Sequence, residues 1–138
     1  MLFQSFRTGI ALRQLMRTAV EGTGVTGEEY GVLGVLHFFP DRTPTELAAA
    51  LGIPPTTVSR HVARFLRGGL VERTPNPEDG RSYLLRPTAR GSKVVTTIAP
   101  RVGKLVEALG RESERPLVEI AESLAMLEDA AKRVAATR

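Results

Sequence analysis

Apolar residues recur at helical spacing along most of this chain. Residues 2–20 carry Leu2, Phe3, Phe6, Ile10, Leu12, Leu15, Met16 and Val20 among Arg7, Arg13 and Arg17, and Gly22-Thr23-Gly24 ends the pattern. Thr26 then opens a second helix. Its hydroxyl can cap the first free amides, and Glu29 can reach back to complete a capping box. Val32, Leu33, Val35, Leu36, Phe38 and Phe39 make this helix apolar nearly all round, so it is expected to be central and buried. Gly31 and Gly34 lower its propensity, which predicts a neighbouring helix packed close against them, and Pro40 stops it.

The next stretch changes rhythm. Thr43-Pro44-Thr45-Glu46 is a second capping box, with Pro44 at a position where its missing N–H does no harm. A short helix over Pro44–Leu51, a turn at Gly52, and a further helix from Pro54-Pro55 to about Arg67 follow, ended by Gly68-Gly69. Leu70–Arg73 and Ser82–Leu85 suit strands, and Asn76-Pro77-Glu78-Asp79-Gly80 between them suits a turn. Thr88 can cap a long helix reaching about Leu109, which Pro100 should kink or break. After a polar link at 110–115, a last helix spans about Pro116–Ala135. The expected fold is mainly α with a small β-hairpin wing: a winged helix-turn-helix flanked by N- and C-terminal dimerisation helices. Residues 1–40 and 88–138 would form the helical lobe, and 41–87 the winged helix-turn-helix lobe.

The helix that starts at Pro54-Pro55 has two faces when residues are placed about 100° apart. Val58, Val62, Phe65 and Leu66 share one side, and Thr56, Arg60, Ala63, Arg64 and Arg67 the other, with Thr57 at its flank. His61 sits between them and reads as a packing or surface histidine. The outer face suits a DNA major groove. Arg can bond bidentately to guanine, Thr methyls can touch thymine methyls, and hydroxyls and Arg can hold phosphates. Arg81, just past the hairpin turn, suits a narrow minor groove, with Asp79 steering its guanidinium by a charge-assisted bond.

Composition narrows the alternatives. The chain has 138 residues, 42% of them hydrophobic, enough for an ordinary globular core. No cysteine is present, which excludes disulfides, thiolate nucleophiles and thiol redox sensing. Two histidines without cysteine give no basis for a structural zinc site, and no cofactor is implied. Gly-rich phosphate loops, metal-ligand clusters and nucleophile–base pairs are absent, so an enzyme is not expected. The net charge is +4, and its placement says more than its sum: Arg60, Arg64, Arg67 and Arg73 face a single Glu72 between Pro54 and Thr74. No stretch has the roughly 20 apolar residues of a membrane span, and the N-terminus lacks a signal-peptide layout, so a cytoplasmic location is expected.

Several ordered motifs resemble the MarR family of winged-helix transcriptional regulators. They are Tyr30-Gly31-Val32-Leu33, Thr45-Glu46-Leu47-Ala48, Leu51-Gly52, Thr57-Val58-Ser59-Arg60-His61-Val62, Gly69-Leu70-Val71-Glu72-Arg73, Asp79-Gly80-Arg81-Ser82 and Thr88-Ala89-Arg90-Gly91. The set spans most of residues 26–91. Two departures stand out. Pro54 replaces a capping Ser, Thr or Asp, and Pro87 replaces an apolar residue, so the second strand is expected to end early.

The resemblance implies a DNA-binding regulator, a repressor by family analogy, with contacts from Thr56, Thr57, Ser59, Arg60, Arg64, Arg67, Asp79 and Arg81. It also implies a homodimer on an inverted-repeat operator in double-stranded DNA. The apolar steps Leu117, Ile120, Leu124, Leu127, Ala131 and Val134 suit either a partner helix or folding back onto the same chain. A small lipophilic or phenolic effector would sit between the lobes, with Tyr30 and His37 on one face of the second helix as polar handles. The competing reading is a winged-helix module that binds protein partners and not DNA.

Overall fold

The computed structural model describes residues 1–137. Six helices and one hairpin follow in the order α1 (Leu2–Val20), α2 (Gly27–Phe38), α3 (Pro44–Leu51), α4 (Pro55–Arg67), β1 (Val71–Pro75), β2 (Tyr83–Pro87), α5 (Ala89–Glu112) and α6 (Leu117–Ala136). Two compact units divide the chain, Met1–Val102 and a C-terminal unit that begins at Gly103.

Local chemistry sets most of the boundaries. Thr26 and Thr43 each close a capping box, with Glu29 and Glu46 returning a carboxylate oxygen to the cap amide at 2.9 Å. At the end of α3, Gly52 adopts φ 63°, a left-handed conformation that costs glycine little, and the amide of Ile53 then reaches the carbonyl of Ala48. Gly69, at φ 66°, does the same after α4, where the Leu70 amide bonds the carbonyl of Phe65. The start of α4 has no side-chain cap, as Pro54 implies.

The first unit has one core. Val32, Leu33 and Leu36 of α2, Leu47 of α3, Val58, Val62 and Phe65 of α4, Leu85 of β2, and Val95 and Ile98 of α5 are buried. Each such side chain contributes about 1.5–3 kcal/mol by leaving water. The elements join closely at Gly91, where an added Cβ would lie 2.0 Å from the Leu70 carbonyl oxygen. Thr88 straps the same junction. Its hydroxyl donates to the Gly69 carbonyl at 2.7 Å and accepts the Gly91 amide at 3.1 Å.

Several expectations need correction. Phe38 and Phe39 are exposed, so α2 buries one face rather than its whole girth. Nothing lies within 4 Å of a Cβ built on Gly31 or Gly34, so no helix among the described residues packs close against them. Of the kink or break expected at Pro100, the break is absent: α5 is continuous through it. The second strand does not end early. Pro87 pairs with Val71, and the Thr88 amide, bonded to the Leu70 carbonyl at 3.0 Å, carries the ladder past the missing proline donor.

An isolated bridge also joins the two-stranded sheet. Arg42 bridges to Leu85, whose amide donates to the Arg42 carbonyl at 2.8 Å. This bridge fastens the chain before α3 to the base of the hairpin. The C-terminal unit comprises the end of α5 and α6. Leu117 approaches Gly110 there, and no residue of α6 is buried.

Candidate nucleic-acid interface

The apolar face of α4 is fixed by the core, which settles where its other face points. Thr56, Ser59 and Arg60 are exposed and Thr57 is half-buried. No hydrogen bond or ion pair occupies Arg60 or Arg67 among the described residues. These side chains stand on the second and last turns of a helix held from behind by Val58, Val62 and Phe65. Such a surface can donate to base edges and phosphates without first breaking internal bonds.

Arg64 departs from the expected arrangement. It is not a free donor on the outer face, because its guanidinium is bound to α2 and to the loop before it. Nη1 donates to Oε1 of Glu29, and Nη2 donates to the Gly24 carbonyl at 3.0 Å. Arg64 lies about 60° from His61 and turns toward the flank that α2 covers. His61 is itself buried on that flank, stacked on Phe65 with ring centroids 6.1 Å apart, and its Nε2 lies 3.0 Å from a Glu28 oxygen. A carboxylate only accepts, so Nε2 carries the proton of that bond.

Glu29 therefore serves two elements with one carboxylate. Oε2 accepts the Thr26 amide that begins α2, and Oε1 accepts Arg64 of α4. Its side chain is 3% exposed, whereas that of Arg64 is 52% exposed. Sequence reasoning found Glu29 only as a cap. The spare oxygen was the signal for a second partner, but nothing in the local sequence names that partner.

The hairpin tip is built by two Asx turns. Asn76 Oδ1 accepts the Glu78 amide and Asp79 Oδ1 accepts the Arg81 amide, each at 3.0 Å. Asp79 thus shapes the turn through the backbone of Arg81, whereas a bond to its guanidinium had been expected. The Arg81 side chain extends exposed from the tip. Behind it, the Arg73 guanidinium stacks over the Tyr83 ring at 4.4 Å and stiffens the hairpin.

At the hairpin base, Arg86 binds Asp41 through two nitrogens, at 3.0 and 2.7 Å. The hydrogen bond from Arg86 lowers the Asp41 pKa below its ordinary value, and Asp41 raises that of Arg86. Tyr30 and His37, the expected ligand handles, both lie on α2. His37 Nδ1 is 3.2 Å from Ser92 Oγ on α5, and neither residue lines the groove described next. That groove, about 1120 Å³, runs beside the second half of α1 and includes Leu12, Met16, Val20, Val25 and Glu28.

Comparison with known proteins agrees with this geometry. The family model described as MarR family matches residues 23–82, which hold α2, α3, α4, β1 and the hairpin turn. A Thauera aromatica protein described as the transcriptional regulatory protein for the hcr operon is 32% identical over 92 residues, 67% of this chain and 55% of that protein. The chain spans less than two thirds of the length of the curated relatives it matches. Among solved structures, a Mycobacterium tuberculosis transcriptional regulator, MOSR, in complex with DNA superposes with a TM-score of 0.85 at 23% identity, covering 96% of each chain. An Escherichia coli MarR mutant complexed with operator DNA gives a TM-score of 0.75 at 25% identity, over 95% of this chain and 90% of that one. The chain belongs to the MarR family, whose members are transcription regulators rather than enzymes.

Proposed function

We propose that this protein is a sequence-specific DNA-binding regulator, a repressor by family analogy, that acts as a homodimer on an inverted-repeat operator. The observation that carries the reading is the free outer face of α4, with Thr56, Ser59 and Arg60 exposed over a buried backing of Val58, Val62 and Phe65. Arg60, Thr56 and Thr57 would read the major groove, Arg67 would meet the backbone at its side, and Arg81 on the stiffened hairpin would enter the minor groove. Arg64 would position the helix through Glu29, and Asp79 would shape the turn that presents Arg81. The MarR relative bound to operator DNA supports the same use of the fold.

Residues 1–40 and 88–138 would supply the dimer lobe and 41–87 the DNA-binding lobe. Exposed Leu2, Phe3 and Phe6 on α1, and Val118, Leu124, Met126 and Val134 on α6, are the apolar surface that a second copy would cover. A small lipophilic or phenolic effector would find its best seat in the groove beside α1, since His37 is already engaged by Ser92. No helix among the described residues is long and apolar enough to cross a membrane. A DNA-bound role would place the protein in the cytoplasm.

The test is selection of duplexes from random DNA. An inverted repeat with half-sites about 34 Å apart is the expected product. Against that duplex, Arg60→Ala should cost about 1–3 kcal/mol and relax preference at one base pair. Arg81→Ala should weaken binding and flatten its salt dependence, since each neutralised phosphate contributes about −0.9 to the log–log slope. Enrichment of no sequence at all, with both variants still binding a protein partner normally, would leave the interaction-module reading in its place.

A further inference from the structure

Two polar residues are buried among those described, Glu29 of α2 and His61 of α4, and they face each other. No DNA contact assigned above uses His61. Its Nε2 carries the proton of the bond to Glu28, so in the neutral ring Nδ1 is an acceptor. That nitrogen lies 3.9 Å from Oε1 of Glu29, which also only accepts. No bond can form between them until the ring takes a second proton, which turns Nδ1 into a donor. Glu28 and Glu29 bring two negative charges to this cluster and Arg64 one positive charge, so it is balanced when His61 is an imidazolium. The other ionisable side chains on elements around α4 do not bond to His61. Glu46 of α3 returns to its own cap, Arg90 of α5 donates to the Gly68 carbonyl, and Glu72 and Arg73 of β1 are exposed, as is Arg60 on α4 itself.

We propose that a proton taken up by His61 transfers Glu29 from Arg64 to the imidazole, and that Arg64 then turns to the DNA backbone. Burial decides which cation moves. The His61 side chain is 9% exposed, so an imidazolium there has the two carboxylates in place of water and cannot leave them. The Arg64 side chain is 52% exposed and reaches solvent at small cost. Two cations on one oxygen repel each other at short range, and the exposed one yields. Arg64 gives up the Gly24 carbonyl at the same time, a bond at the surface.

The freed guanidinium stands one turn beyond Arg60 on nearly the same side of α4, where a phosphate can meet it. Histidine is the side chain whose charge ordinarily changes between about pH 5 and 8. The chain has one other, His37, which is engaged with Ser92 on α5. The consequence for DNA rests on the regulator reading, but the exchange of partners on Glu29 does not.

NMR of the whole chain without DNA tests the exchange. His37→Gln assigns the two imidazole signals. Between about pH 8 and 5.5 the His61 ring signal and the Arg64 Nε–H signal should shift together. Glu28→Gln, at a position 56% exposed, should flatten both shifts. An Arg64 signal that stays constant while His61 titrates overturns the proposal, and so does a His61 signal that never moves. Binding to the selected duplex gives the second readout. Lowering the pH from about 8 to 6 should tighten it about tenfold and steepen the log–log salt slope by about 0.9, the mark of one added phosphate contact. Arg64→Gln and Glu28→Gln should each lose both changes, whereas His37→Gln should keep them. Equal tightening in Arg64→Gln would mean that the imidazolium charge acts on DNA by itself, and the proposal fails. A chain whose Arg64 signal follows His61 but which selects no duplex keeps the exchange on Glu29 and loses the regulator reading.

Discussion

Arg60 and Arg64 stand four residues apart on one helix, yet only one is free to meet DNA. The difference lies in height along the helix: the two share nearly one side, one turn apart, and only Arg64 reaches the Glu29 carboxylate and the Gly24 carbonyl, which a helical wheel drawn from sequence does not show. The glycines separate in the same way. Gly91 has the Leu70 carbonyl oxygen where its Cβ would be, 2.0 Å away, whereas Gly31 faces open space. Gly91→Ala should therefore destabilise the fold by about 3 kcal/mol through overpacking against backbone that cannot yield. Gly31→Ala should stabilise it by about 0.5–1 kcal/mol through helix propensity alone. Urea unfolding of both variants measures the contrast, and equal effects of one sign would contradict this assignment of the two sites.

At the scale of elements, the start of α3 depends on Asp41, held at φ 62° and clamped by Arg86. The Asp41 pKa is lowered in the fold, so its stabilising contribution is present above the unfolded value near 4 and is lost as pH falls below it. Asp41→Asn keeps a residue that tolerates the left-handed backbone but removes the charge. Melting temperatures of variant and wild type should differ at pH 7 and converge as pH drops below about 4. A gap that stays constant across that range would show that the charge does not act through Arg86. The capping boxes of α2 and α3 and the glycine ends of α3 and α4 were legible in sequence because their partners lie within five residues. The Arg42 bridge was not, since a one-residue strand has no period to read. The Arg64–Glu29 bond joins residues 35 positions apart, and no local rule connects them.

For the whole molecule, the apolar side chains left on the surface set the next expectation. Phe3 is 73% exposed and Phe6 is 62% exposed, a poor arrangement for a chain that stays alone in water. Sedimentation should find a dimer, and Phe3→Ser with Phe6→Ser should shift it toward monomer. Affinity for a two-half-site duplex should then fall about 100-fold or more, while binding to a single half-site changes little, because linked binding multiplies two weak contacts. Wild-type sedimentation as a monomer at all concentrations would rule out this explanation of the exposed apolar surface. The buried Glu29 carboxylate has a further consequence for motion. It begins one helix and tethers another, so neither can open while both bonds hold. Amides in the first turn of α2 and the second half of α4 should exchange with solvent deuterium as one unit, with matching opening free energies. Glu29→Gln should raise exchange in both segments together and leave α3 between them at its own rate.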